Sequence, residues 1–319
     1  MGYTMENDVA ELLIKPSILR RIFAGNNGIR AGWSIGIFFI LMALLTAAFF
    51  FPAKFILEKN GLPFAEQQPL QICVIDFACF LGLLGASMIM ALIEHKPIIS
   101  YGLEGTRRFA KLFYGALSGV IALSVLVYLL KLGGFLIFDG QPVLNWQVIQ
   151  YAFSWGITFF LVGLYEEYFS RGYMQATLTR GIGFWWSALV LSLAFGCLHI
   201  SNKGESPIGI FSAALDGMIC CISLWYLKDL WWAIGFHASW DWAESYLWGT
   251  ANSGRVVQGH LFSVHPQGNI LWSGGATGPE GSILVIPLLL FIGLLMWIIW
   301  RRTNAPLSKS VGTKILLSE

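Results

Sequence analysis

The chain has 319 residues, of which 56% are hydrophobic and only 12% charged, with a mean hydropathy of +0.66 and a formal net charge of +2. Soluble domains carry about 25% charge, so a water-exposed globule is excluded. The same numbers exclude a disordered chain, and the small net charge excludes the basic stripe of a nucleic-acid binder. What remains is an all-α polytopic membrane bundle.

A spanning helix needs about 20 mostly apolar residues. Eight stretches qualify. They are Ala31–Phe51, Leu70–Ile93, Leu112–Leu130, a segment within Trp146–Leu178, Phe184–Ile200, Ile208–Leu227, Trp231–Trp248 and Ser282–Trp300. The fourth is too long for one crossing, and its true span is expected near Trp155–Leu178, with residues 140–154 as a loop and amphipathic lead-in. Residues 1–30 read as a cytoplasmic arm preceding an uncleaved first span, 31–303 as one membrane domain, and 304–319 as a cytoplasmic tail. Lys and Arg concentrate in alternate loops: Lys96, Arg107, Arg108 and Lys111 in one, Arg180 and Lys228 after later spans, Arg301 and Arg302 near the end. By the positive-inside rule both termini are expected in the cytoplasm. The five cysteines, Cys73, Cys79, Cys197, Cys220 and Cys221, lie in apolar stretches without a CxxC spacing and read as buried free thiols. The Gly-rich stretch Gly249–Gly281 reads as a solvated extracytoplasmic cap.

Ionisable residues inside a bilayer are costly, so each is a functional candidate. Most cluster between 166 and 244. Glu167 and Arg171 are i,i+4 in the favourable order and pair on one helix face. Glu166 points about 100° away and is left as a candidate general base. Phe195 and His199 share the next helix face. Glu166 and His199 each lie about 16 residues from the turn at 180–183, so in a helical hairpin they sit at matching depth, about 24 Å above it. His237 and Asp241 form a third i,i+4 pair, which Glu244 extends. Within its own span His237 lies only about 10 Å deep, a mismatch that a projecting turn at Arg180 would reconcile. Asn202 reads as a helix cap or a donor at the site edge. Asp76 and Asp216, without companions, read as interhelical hydrogen-bonding residues.

Glu-Glu-x-x-x-Arg at 166–171, Phe-x-x-x-His at 195–199 and His-x-x-x-Asp at 237–241 occur in this order on successive late spans. Together they resemble the CPBP family (Abi, or CAAX type II) of intramembrane proteases, over roughly residues 150–250. The segment Ser273–Ser282 also resembles one found in bacterial members. The resemblance implies hydrolysis of a peptide or protein substrate, in some members lipidated, within or near the membrane. It implies that Glu166 and His199 activate water, that His237 and residue 241 stabilise the oxyanion, and that Glu167 and Arg171 are a supporting pair. The family commonly has Asn at the last position. Here it is Asp241, and an ionised carboxylate cannot donate a hydrogen bond. No cofactor is expected, with zinc or another divalent metal on Glu166, His199 and His237 as the alternative: two His and a Glu are a known zinc set, though the HExxH signature is absent. Two rival readings are a transporter or proton-relay protein, against which stands the lack of an inverted repeat, and a non-catalytic immunity protein.

Overall fold

The computed structural model describes residues 22–25, 28–62 and 68–303. The expected tail, and most of the expected N-terminal arm, lie outside the described residues. A two-residue ladder pairs β1 (Ala24–Gly25) with β2 (Gly28–Ile29) ahead of the first helix. The rest is helical. In chain order come α1 (Ala31–Lys59), α2 (Pro69–Ile93), α3 (Arg108–Leu132), β3 (Leu136–Phe138), α4 (Trp146–Glu167), α5 (Gln175–Ile182), α6 (Phe184–Leu198), α7 (Pro207–Leu227), α8 (Trp231–Trp242), β4 (Val264–Pro266), the single turn Ile270–Ser273, and α9 (Val285–Thr303). Strands β3 and β4 pair antiparallel outside the bundle.

Among the described residues, seven helices are long and apolar enough to cross a membrane, counting 146–182 as one. Their outer faces carry large exposed apolar side chains such as Ile40, Phe51, Leu132, Ile157 and Trp186, as a lipid-facing belt requires. The chain is an integral, multi-pass membrane protein. The stretch expected as an eighth span, Trp231–Trp248, is different. Regular helix ends at Trp242 and a π-helical turn runs over Ala243–Leu247, so the element is about 25 Å long, short of the roughly 30 Å hydrocarbon core. Nearly all of α8 is buried, from Trp232 to Asp241. It is the central helix of the bundle, and its apolar composition reflects burial in protein rather than contact with lipid.

Small residues bring the other helices close to α8. Gly115 and Gly119 of α3 lie against the Trp232 and Phe236 carbonyls, and Gly163 of α4 packs on Ala238, the small-residue packing usual in membranes. A Cβ at Gly119 would collide with backbone as well as with Ser239, so Gly119→Leu is expected to cost on the order of 1–3 kcal/mol. An unchanged thermal midpoint in detergent would contradict that close approach.

The fourth span begins earlier than its sequence suggests. Asn145 caps α4, its side chain accepting from the Val148 N–H at 2.8 Å, so regular helix starts at Trp146 instead of Trp155. It then gives way to a π-helical stretch, Tyr168–Met174, in which Gly172 leaves helical geometry (φ −82°, ψ −106°). The hairpin carrying Glu166 and His199 is therefore not straight. Depths counted along an unbroken helix overstate how far these residues lie from the turn, and the mismatch with His237 follows from that assumption.

Two ion-pair clusters tie the end bearing the 183 and 228–230 turns. Arg180 donates to both Glu94 oxygens at 2.6 and 2.8 Å, Tyr173 donates at 3.0 Å, and Lys96 lies 3.5 Å away. Burial alone would raise the Glu94 carboxyl, but the Arg180 guanidinium outweighs it and holds the group below the usual carboxylate range. Lys111 of α3 pairs with Asp229 just before α8.

The candidate active site

His237 on α8 is the hub. Its Nδ1–H donates to Glu167 Oε1 at 2.9 Å, and its Nε2 lies 3.7 Å from Glu166 Oε2 and 3.6 Å from Asp241 Oδ2. The adjacent carboxylates of α4 thus meet opposite sides of one imidazole. The Glu166 side chain is 33% exposed and the Glu167 side chain is fully buried, which separates a group open to solvent from a structural one. Arg171 Nη1 donates to Glu167 at 3.0 Å and to Ser170 Oγ at 2.8 Å. Its guanidinium also lies over the Phe195 ring, 4.5 Å from the centroid. The expected Glu167–Arg171 pair is present and does more than brace its own helix: Glu167 also holds the histidine of a neighbouring one.

His199 sits at the end of α6, where helix tightens to a 3₁₀ turn through Ser201. Its Nδ1–H donates to the Phe195 carbonyl at 2.9 Å, which leaves Nε2 as the lone-pair nitrogen. The Asn202 N–H donates to the His199 carbonyl at 3.0 Å, so Asn202 ends that turn and also lines the site. Glu166, His199, His237 and Asp241 border one cavity of about 380 Å³, within the usual range for a ligand site.

Other residues border the same cavity. Asp76 of α2 is in electrostatic reach of Glu166 and Arg255. Asp216 of α7 also faces the space, with Cys220 Sγ donating to it at 3.9 Å. The expectation that these two aspartates only join helices is corrected: both are part of the cavity wall. Glu244, expected to extend the His237 face, is fully buried behind it, its carboxylate meeting the Glu280 backbone N–H. The thiols are unpaired as expected, but Cys197 is exposed on the outer surface while Cys220 and Cys221 are buried.

The stretch Gly249–Gly281 is not a detached cap. Asn252, Ser253, Arg255, Val257 and Glu280 all line the cavity. Thr277 Oγ1 donates to the Gly204 carbonyl at 2.9 Å, and Trp155 Nε1 donates to the Gln258 carbonyl at 2.9 Å, so the loop is fastened to the α6–α7 connection and to α4. Glu280 accepts from the Ser253 N–H and hydroxyl at 2.5 and 2.6 Å. Burial, reinforced by the Glu205 carboxylate, pushes Glu280 up to about 7 against those two hydrogen bonds. An acid whose pKa is raised on folding adds stability that is fully present below its ordinary value, near 4.5, and lost as pH rises through about 7. Melting temperatures from pH 5 to 8 should therefore fall more steeply for the wild type than for Glu280→Gln; parallel curves would refute the linkage.

The metal alternative finds little support in this donor set. Among the described residues, no group of three or more His, Cys, Asp or Glu side chains is arranged to hold a metal ion. One nitrogen of each histidine is already committed, to Glu167 in one case and to the Phe195 carbonyl in the other.

Fold and site together define a polytopic membrane protein with an acid–base cluster buried among its helices. Residues 145–243 match the family model described as type II CAAX prenyl endopeptidase Rce1-like. This motif-bearing core is of the CPBP/CAAX protease family. No curated protein matches the chain.

Proposed function

We propose that the protein is an intramembrane endopeptidase that hydrolyses peptide bonds with water activated by Glu166 and His199, without a metal. The observation that carries this reading is the meeting of Glu166, His199, His237 and Asp241 around one cavity, within the segment that matches a prenyl endopeptidase family. Water donates one proton to Glu166 and a hydrogen bond to the free Nε2 of His199. Its oxygen bonds the carbonyl carbon, and the carbonyl oxygen takes the negative charge beside His237. Glu166 then passes its proton to the leaving amine as the C–N bond breaks. Glu167 and Arg171 orient His237 and do not touch substrate.

The substrate is a peptide or protein, with lipid-modified chains the class favoured by the family match. Both chain ends are assigned to the cytoplasm on the distribution of Lys and Arg, which puts loop 249–281 on the opposite side. The test is cleavage of a peptide library, with and without lipidated cysteine, by the purified protein in detergent or liposomes. Cleavage that His199→Ala removes supports the assignment. No cleavage of any member, or solute flux through liposomes in its place, rejects it.

A further inference from the structure

Hydrolysis of an amide drives negative charge onto the carbonyl oxygen, and the protein must meet that charge with fixed hydrogen-bond donors. This cavity is poor in them. Its wall carries Asp76, Glu166, Asp216, Asp241 and Glu280, and ionised carboxylates only accept. Nε2 of His237 stands between two of them. The position one turn beyond His237 holds Asp241, which offers the oxyanion nothing while ionised.

A neutral donor reaches Asp241 from outside the helices. Asn252 lines the cavity, and its side chain hydrogen-bonds Asp241. Because that carboxylate accepts only, the amide group must turn its NH₂ toward it. Asp241 takes one of the two N–H donors and leaves the second for the cavity. The backbone holding Asn252 is stiff. Asn252 and Arg255 exchange both N–H···O bonds at 2.9 Å, and the two residues between them have positive φ, 44° at Ser253 and 82° at Gly254, the pattern of a tight type I′ hairpin. Glu280 fixes Ser253 from one side, and the Gly254 N–H donates to the Thr277 carbonyl at 3.0 Å on the other.

We propose that the Asn252 carboxamide is an oxyanion-binding catalytic group of this site, held in register by Asp241. The inference rests on the hydrolytic reading above. Donor and acceptor have exchanged places between helix and loop: α8 supplies the carboxylate that orients, and the hairpin supplies the N–H that stabilises charge. As water attacks, the charge developing on the carbonyl oxygen is met by the free Asn252 N–H and relieved when the C–N bond breaks and the amine leaves with the proton from Glu166.

The test uses the full-length protein and a peptide that the wild type cleaves. Asn252→Asp keeps the size and turn preference of the side chain and removes both donors. Its kcat should fall about 10²-fold or more, as for loss of one oxyanion donor, with KM changed less than threefold. The exchange variant Asp241→Asn/Asn252→Asp returns an amide to the pair and should recover at least tenfold in kcat over Asn252→Asp. Asn252→Ala serves as a second donor-free form, and thermal unfolding checks that each variant is folded. A folded Asn252→Ala protein with wild-type kcat, or an exchange variant no faster than Asn252→Asp, overturns the inference and leaves the protease reading intact. A wild type that cleaves nothing brings down both.

Discussion

Glu166→Gln is expected to abolish peptide hydrolysis while leaving the protein folded. The substitution keeps the shape of the side chain and its place 3.7 Å from His237 Nε2, and removes the only function asked of it, which is to take and return a proton. General acid–base catalysis contributes typically 10²–10⁴-fold, and the same group serves both halves of the reaction, so a loss of kcat toward the upper end, about 10³-fold or more, should be measured. Because the Glu166 side chain is partly exposed to the cavity, neutralising it leaves no buried charge stranded, and the thermal midpoint should hold or rise. A folded Glu166→Gln protein that cleaves within tenfold of wild type would remove Glu166 from the mechanism.

Arg171→Met should produce the opposite profile, a large loss of stability from a residue that never meets substrate. Arg171 and Glu167 are both fully buried, 3.0 Å apart, and Glu167 also accepts from His237. Taking away one partner leaves the other as an uncompensated buried charge, which costs about 3–5 kcal/mol. The thermal midpoint in detergent should drop by many degrees. Glu167→Gln/Arg171→Met, which removes both charges, should recover a substantial part of the loss, because the penalty comes from the stranded ion more than from the lost contact. A single variant as stable as wild type would show that the pair does not carry the α4–α8 junction.

The helical residues of the site were readable from spacing because each is placed by a period. Glu166 separates from Glu167 by the 100° step of the helix, His237 and Asp241 share a face at i,i+4, and the hairpin count brings His199 near the level of Glu166. Spacing along one helix could not show that Glu167 reaches across to His237, since its i,i+4 partner Arg171 already gave it a sufficient role. Gly172 was equally hidden: one glycine among apolar residues carries no mark of the break it makes in the span. The extent of α8 was misjudged because twelve buried apolar residues read the same whether protein or lipid surrounds them. Asn252, Arg255 and Glu280 were out of reach for a different reason. They lie in a stretch with no periodicity, and only the tertiary path of that stretch brings them back to the cavity. The legible hints were an Asp where the family usually has Asn, and the segment containing Glu280.

Surface connections ordinarily accept inserted epitopes and reporter tags, because little is packed against them. The hairpin at 252–255 denies that freedom. A side chain on Gly254 would run into the Lys203 carbonyl, and one on Gly278 into that of Ala251, so both the length and the residue choice of this turn are fixed by its neighbours. A label intended to report on the protein without silencing it belongs instead near Gly140, where nothing lies within 4 Å of an added Cβ.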